Sequence, residues 1–219
     1  MIQRSIPLSK IRTLITKLSD LSYQYDKETH TITYTLEDEE IYQLRLPYQL
    51  DENLEVRNYD YVICLIQTEN ASVGMVKDHQ IIDHKTFSTY AVRKKQGKSQ
   101  IKYLKTRGKS KAGSRLRLAN TINFFEHINE RLQQYFKDHE VKKVMFSCSK
   151  ILIPYLFTSK VACPFDKKDE RIHKIPKYIP NANFEDLTQT FKNLQKGEFI
   201  FSEASKEDAE ILLQSVFDN

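Results

Sequence analysis

The chain has 219 residues and a mass of 25.9 kDa, and 40% of its residues are hydrophobic, so it can bury a core and a disordered chain is excluded. The formal net charge is only +5, from 34 basic and 29 acidic residues, but these charges are unevenly distributed. No acidic residue occurs from Lys85 to Phe125, where twelve of the 34 cations lie, and 22 cations are left against all 29 anions elsewhere. The basic stretch is therefore suited to bind a polyanion such as nucleic acid, and the remaining residues are expected to form a mildly acidic globular part of the protein.

Several classes of protein are not expected from this sequence. The longest apolar runs, 61–66 and 151–157, are far shorter than the roughly 20 residues that span a bilayer. The first residues show no signal-peptide pattern, and Cys64, Cys148 and Cys163 follow no CxxC spacing. We therefore expect a reduced, cytoplasmic protein that acts as a monomer, without membrane contact, disulfide, metal or cofactor.

The first 55 residues predict an accessory unit. Apolar residues at helical spacing from Leu8 to Leu18 indicate a helix, and the alternation in 32–36 and 42–46 indicates the two strands of a hairpin. The polar segment 51–58 that follows is a plausible boundary.

The central part predicts three antiparallel strands, followed by a long helix. The apolar run 61–66 indicates a buried strand, and 73–76 and 80–82 indicate two more. Apolar residues from Leu118 to Phe136 indicate an amphipathic helix with Ser114 as its N-cap. A strand at 141–146, a short helix at 149–157 broken near Pro154, and a strand at 172–175 are expected next.

The C-terminal part predicts helix, strand and helix. Asn183 is expected to cap a helix that Gly197 ends, residues 199–201 form a strand, and a last helix begins near Ser205. This order predicts an α/β fold with a mixed α+β sheet, compatible with the ribonuclease-H-like class. The predicted domains are 1–55, 56–203 with a basic loop at 88–113, and a helix or tail at 204–219.

The basic loop is the candidate site. Three of the five glycines, at 97, 108 and 113, lie in it, and such long connections are usually functional or disordered. It is not a P-loop, because Val92 and Tyr103 stand where that motif needs glycine. A nucleic-acid contact and a solvated basic linker both fit the composition. The candidate RNA-binding residues are Lys85, Arg93, Lys94, Lys95, Lys98, Lys102, Lys105, Arg107, Lys109, Lys111, Arg115 and Arg117.

Three ordered groups of residues carry a family resemblance. The first comprises 83–90, 93–100 and 110–117, and the others are 169–172 with 175–176, and 184–187. Together these segments resemble the Vms/ANKZF-type release factors. The resemblance implies release of stalled nascent chains from peptidyl-tRNA on the large ribosomal subunit, with a ribonuclease-H-like catalytic domain. It also implies that Gln100 is the key residue and that Gly97 and Ser99 shape its loop.

The resemblance leaves the reaction open. Hydrolysis of the peptidyl-tRNA ester and cleavage of the tRNA near its 3′ CCA end are both compatible with the loop. Lys98 replaces a glycine of the eukaryotic members, so an inactive ribosome-binding or tRNA-binding module is the alternative. Metal-dependent cleavage would need convergence of Asp60, Glu69, Asp78 and Asp83. His84 is expected either to activate a hydroxyl group or bind a phosphate, or to be a structural residue at the end of a strand.

Overall fold

The computed structural model describes residues 1–51, 53–89, 109–175 and 177–218, and for 109–118 it describes the backbone alone. These residues form a mixed α+β fold with two five-stranded sheets and five helices. They divide into two compact units: Met1–Tyr59, His173–Pro176 and Thr188–Asn219 form the first, and Asp60–Ile172 and Lys177–Leu187 form the second. The domains 1–55, 56–203 and 204–219 stay a prediction. Within the described ranges, each helix is too short or too polar to cross a bilayer.

The first unit is an antiparallel sheet with two helices. Its elements are β1 (Ile2–Ile6), α1 (Leu8–Lys17), β2 (Ser22–Asp26), β3 (Thr31–Leu36), β4 (Glu39–Arg45), β10 (Gly197–Phe201) and α5 (Lys206–Phe217). The strand order is β1-β10-β4-β3-β2, and every neighbouring pair is antiparallel. The C-terminal strand therefore lies between two strands from the start of the chain.

The core of the first unit joins the sheet to both helices. Ile11 and Leu14 of α1 and Val216 of α5 are fully buried in one cluster with alternate residues of β3, β4 and β10. Gly197 is the first residue of β10, and a Cβ there would lie 2.3 Å from Cδ1 of Ile11. Its predicted role as the end of a helix is wrong, because the preceding helix ends at Leu194 and Gly197 begins a strand, where a side chain would displace Ile11.

Two hairpins have tight turns, and in each the strand register shifts by one residue close to the turn, between Tyr34 and Thr35 and between Met75 and Val76. Glu37 and Asp38 connect β3 to β4 with φ of 51° and 67°, and Asp78 and His79 make the corresponding turn in the second unit with φ of 47° and 59°. Two successive positive φ values are the type I′ pattern, whose twist matches that of paired strands. The sequence carries no Asn-Gly at either turn, so the polar residues accept the left-handed backbone instead.

The second unit contains a mixed sheet. Its elements are β5 (Tyr61–Ile66), β6 (Asn70–Lys77), β7 (Gln80–Ser88), α2 (Lys109–Asp138), β8 (Lys143–Cys148), α3 (Ile153–Phe157) and the first turn of α4 (Phe184–Leu194). The last strand of its sheet is β9 (Ile172–Lys174), of which Ile172 is assigned to this unit. The strand order is β7-β6-β5-β8-β9. β5, β6 and β7 form the expected antiparallel meander, and β8 lies parallel to β5.

Helix α2 covers one face of this sheet. Phe125, Ile128 and Leu132 are at most 1% exposed and pack with alternate strand residues that include Val62 and Val73. β5 is buried along its whole length, as its continuous apolar sequence predicts for a central strand. The face that meets α2 is therefore the main core of the second unit.

Some local predictions are corrected by the structure. Helix α2 begins at Lys109, so Ser114 lies inside the helix and is not its N-cap. Pro154 stands in the first turn of α3, where a missing N–H is tolerated, and begins this helix instead of breaking it. The edge strands β1 and β2 were not predicted, because their mostly exposed residues show no clear alternation of apolar and polar side chains.

Candidate functional site

The predicted catalytic residues and most of the predicted cations follow strand β7 in the sequence. Gly97, Ser99 and Gln100 lie outside the described residues, as do the cations Arg93, Lys94, Lys95, Lys98, Lys102, Lys105 and Arg107. The described chain stops at Thr89, one residue beyond β7, and resumes at the start of α2. The site is therefore built from the two elements that flank this segment.

Strand β7 carries Lys85, the first of the predicted cations. Asp83 pairs with Arg131 of α2, and Phe87 packs against the core between the sheet and α2. Residues 83, 85 and 87 alternate along the strand, so Lys85 shares with them the face of the sheet that α2 covers. Lys85 itself is exposed. His84 and Thr86 alternate with these residues and share the opposite face.

The remaining predicted cations lie on the first turns of α2. Lys109 begins the helix, and Lys111, Arg115 and Arg117 follow within it. The unbonded N–H groups of a helix belong to its first four residues, so Arg115 and Arg117 do not stand beside them as the sequence suggested. Lys111 and Arg115 are four residues apart and share one side of the helix. No acidic residue occurs in the first turn, where lysines are unfavourable next to the positive end of the helix dipole.

The four carboxylates considered for a metal site do not converge. Asp60 precedes β5 and Asp78 follows β6, which places both at one end of this antiparallel pair, whereas Glu69 lies at the other end. Asp83 lies within β7 and pairs with Arg131 of α2. No group of three or more His, Cys, Asp or Glu side chains that could hold a metal ion occurs among the described residues.

Of the three cysteines, Cys64 is buried, and Cys148 and Cys163 are half-buried. Cys64, Cys148 and Cys163 are free and belong to or pack against the core of the second unit. Burial raises the pKa of Cys148 and of Cys163 to about 12, and the pKa of Cys64 is also raised well above its ordinary value. They are therefore protonated near neutral pH and are unsuited to act as nucleophiles.

The motif at 169–172 forms a structural clamp. The carboxylate of Asp169 accepts hydrogen bonds from Nε and Nη2 of Arg171 at 2.9 and 2.7 Å, and from its backbone N–H at 2.9 Å. The guanidinium lies 5.0 Å from the ring centroid of Phe136 on α2. The carbonyl of Arg171 accepts a 2.7 Å hydrogen bond from the N–H of Val144 on β8. These contacts connect the segment before β9 to α2 and β8.

This clamp is expected to make stability depend on pH. The hydrogen bonds from Arg171 lower the pKa of Asp169 below its ordinary value of 3.8, so the stabilisation is present above that pH and is lost as pH falls through the lowered folded-state pKa. Asp169→Asn is expected to destabilise the protein by about 1 kcal/mol at pH 7 and by less at pH 3. Urea unfolding at both pH values measures this, with the exposed neighbour Glu170→Gln as a charge-matched control. An equal loss for Asp169→Asn at the two pH values would contradict the role of the ion pair.

The motif at 184–187 fixes the beginning of α4. Asn183 Oδ1 accepts a 2.8 Å hydrogen bond from the N–H of Asp186, and Asp186 Oδ2 accepts one from the N–H of Asn183 at 3.5 Å. This reciprocal pair is a capping box, so the predicted N-cap is confirmed. Leu187 is fully buried and packs over Gly74 of β6, where a Cβ would lie 3.0 Å from both of its methyl carbons.

His84 lies in the middle of β7, opposite Gly74 in the strand register. Its predicted position at a strand end is therefore wrong. Its ring stacks on that of Phe184, with 4.0 Å between centroids and 26° between planes. No sequence signal indicates this pair, because the two residues are a hundred positions apart and meet only when α4 begins over β6.

Comparison with known proteins identifies a family. Residues 61–212, which are more than two thirds of the chain, match the family bVLRF1, described as the Bacteroidetes VLRF1 release factor. Among solved structures, the chain is similar to the one titled "Vms1 mitochondrial localization core", with a TM-score of 0.46 and 11% identity over 83% of this chain and 92% of that one. No curated protein matches the chain.

Proposed function

Because the chain belongs to the Bacteroidetes VLRF1 release-factor family, we propose that it frees stalled nascent chains from peptidyl-tRNA on the large ribosomal subunit. The observation that carries the proposal is this membership, since the matched residues 61–212 include the whole acid-free basic stretch. Peptidyl-tRNA and ribosomal RNA are the partners proposed for it. The protein acts as a cytoplasmic monomer in this proposal, without metal or cofactor.

The charge distribution supports a polynucleotide partner. Twelve cations without a single anion over 41 residues attract a phosphate backbone, because each neutralised phosphate releases counterions. The start of α2 adds to this argument. Lysines in the first turn are unfavourable next to the positive end of the helix dipole, and phosphate groups of bound RNA would relieve this repulsion.

Gln100 has a positioning role in the proposed reaction. Its amide is neutral near pH 7 and barely basic, so it cannot remove a proton from water. It can hold the attacking group by hydrogen bonds, with Gly97 and Ser99 giving the loop the shape that brings it to the acceptor end of the tRNA. Ribosomal RNA supplies the rest of the catalytic environment.

We also infer a ribonuclease-H-like fold for the second unit. The strand order, numbered within this sheet, is 3-2-1-4-5, with the second strand antiparallel to the first and the fourth parallel to it. This order supports the inference, and the long helix α2 covers one face as a helical layer of that fold would.

Two reactions are compatible with the proposed role. In ester hydrolysis, water attacks the carbonyl carbon of the peptidyl ester, and the tRNA leaves with a free 3′-hydroxyl group. In tRNA cleavage, a ribose 2′-hydroxyl attacks the adjacent phosphate and the bond from phosphorus to the 5′-oxygen of the next nucleotide breaks. The tRNA keeps a 2′,3′-cyclic phosphate, and the peptide keeps the last nucleotides with a free 5′-hydroxyl group. Lys94, Lys95 or Lys98 would stabilise the charge that develops on that phosphate.

Release from stalled large-subunit complexes tests the proposal. Purified protein is incubated with these complexes, and the C-terminal end of the freed peptide is analysed by mass spectrometry. A free carboxylate is expected from ester hydrolysis, and retained nucleotides from tRNA cleavage. If no peptide is freed although the protein binds the complex, the alternative of an inactive binding module, which Lys98 in place of a glycine favours, replaces the proposal.

A further inference from the structure

We propose that the stacked pair of His84 and Phe184 is a platform on which an unpaired RNA nucleobase stacks. This inference rests on the proposed function, since it assumes an RNA partner, and it assigns a base-binding site that is separate from the predicted catalytic loop. The pair and its surroundings are part of the second unit.

The pair presents aromatic surface to solvent. Phe184 is 46% exposed, and His84 is also exposed. Their rings are stacked nearly parallel at a centroid distance of 4.0 Å, so each ring covers one face of the other, and a base extends the stack from an outer ring face. Single exposed apolar residues are common and need no explanation, but here two exposed aromatic side chains lie together, and Phe and His are among the side chains on which proteins stack splayed bases.

The backbone around the pair is held firmly. Phe184 is the first residue of α4, and the capping box of Asn183 and Asp186 fixes the helix at this point. Leu187, one turn later, is pressed against Gly74, which is the strand partner of His84. The platform is therefore formed before any ligand binds, so little ordering free energy opposes stacking.

Polar groups for the rest of a nucleotide lie on the same face. Thr86 is two residues beyond His84 on β7, about 7 Å along the strand, and is exposed. Its Oγ1 lies 3.4 Å from Oγ of Ser72. This hydroxyl is suited to a ribose or to a base edge, since it both donates and accepts hydrogen bonds.

The position along the chain favours RNA over a protein as the ligand. β7 ends at Ser88, four residues or about 13 Å from His84, and the sequence then enters the stretch that holds most of the twelve cations and no anion. The positive charge of this stretch favours a polyanion over a protein as the partner of the chain, and nucleic acid is the polyanion that also carries bases able to stack.

A labelled tetranucleotide tests the platform directly. Single-stranded RNA ACCA with 2-aminopurine as its last base is titrated with the full chain, and the same phosphates without bases serve as the abasic probe. We expect quenching of the 2-aminopurine fluorescence and binding about tenfold tighter than that of the abasic probe. Equal binding of the two probes to the wild-type protein overturns the proposal, and this comparison needs no variant.

Variants of the two rings test whether binding of the base depends on Phe184 and His84. Phe184→Leu and His84→Ala are each expected to weaken binding of the base-containing probe about tenfold and to leave the abasic probe unchanged. Tyr23→Leu, which removes a 70% exposed ring from the first unit, is the matched control and is expected to change neither. Equal binding by Phe184→Leu and Tyr23→Leu, in proteins with unchanged thermal midpoints, overturns the assignment.

Two further ligands distinguish the source of the nucleotide. An effect of Phe184→Leu seen only with tRNA that keeps its unpaired 3′ end assigns the base to tRNA, and an effect seen only with vacant large subunits assigns it to ribosomal RNA. No effect with either ligand overturns the proposal. These readouts do not involve peptide release, so failure of the platform and failure of the proposed function are separate results.

Discussion

Gln100→Ala is expected to slow release of the nascent chain by about 100-fold while the protein still binds the large subunit. The physical reason is that a positioned dipole next to the reacting atoms lowers the barrier, and removing one such group typically costs about 10²-fold to 10³-fold in rate. Binding is expected to persist, because it depends on the cations of the basic stretch and not on a neutral amide.

The same stretch provides a matched control for this substitution. Gln96→Ala removes an identical side chain four residues earlier and is expected to release at the wild-type rate. The measurement is single-turnover release from stalled large-subunit complexes with protein in excess, so that binding does not limit the rate. If Gln100→Ala and Gln96→Ala release equally fast, Gln100 is not the residue that positions the attacking group.

Binding to ribosomes is expected to weaken about 10³-fold between about 50 and about 200 mM salt. This is the range for a protein that makes six to ten phosphate contacts, which twelve clustered cations can supply. Replacing Lys94, Lys95 and Lys98 together by alanine is expected to reduce the slope of log affinity against log salt by about 2 to 3, because each lost contact contributes about 0.7 to 0.9.

A second triple variant controls for net charge. Replacing Lys17, Lys77 and Lys150 by alanine also removes three positive charges, but from exposed positions outside the basic stretch. This variant is expected to have the wild-type slope of log affinity against log salt. Sedimentation of labelled protein with large subunits over a series of salt concentrations gives both slopes. A flat response of the wild-type protein, or equal slopes for the two triple variants, would contradict phosphate binding by the basic stretch.

Local patterns determined many of the elements. The helical spacing of Leu8 to Leu18 predicted α1, and the continuous apolar run at 61–66 predicted the central strand β5, because both patterns reflect burial on known faces. The cap at Asn183 was also readable, since Asn followed three residues later by Asp matches the chemistry of a helix start. The beginning of α2 was not predicted correctly, because Ser114 has the side chain of an N-cap residue but lies inside a helix that begins at Lys109.

The motifs shared with release factors show a second limit of the sequence. Asp169 and Arg171 lie in a segment that carries the family resemblance, and in the structure they hold a loop against α2 and β8. The sequence pattern of a charged pair is the same whether the pair contacts a substrate or a neighbouring helix. Only the position of Phe136 and Val144 beside Arg171 separates the two cases.

By itself, the sequence determined the elements with strong periodicity, the concentration of positive charge in one stretch and the family to which the chain belongs, because these are properties of residues close together along the chain. Only the tertiary structure decided that β10 is inserted between β1 and β4, and that Phe184 stacks on His84. Such contacts join residues more than 90 positions apart, and their partners are selected by packing that no local pattern encodes. Gly197 shows this physically, because a Cβ there would lie 2.3 Å from Cδ1 of Ile11, which is 186 residues earlier in the chain.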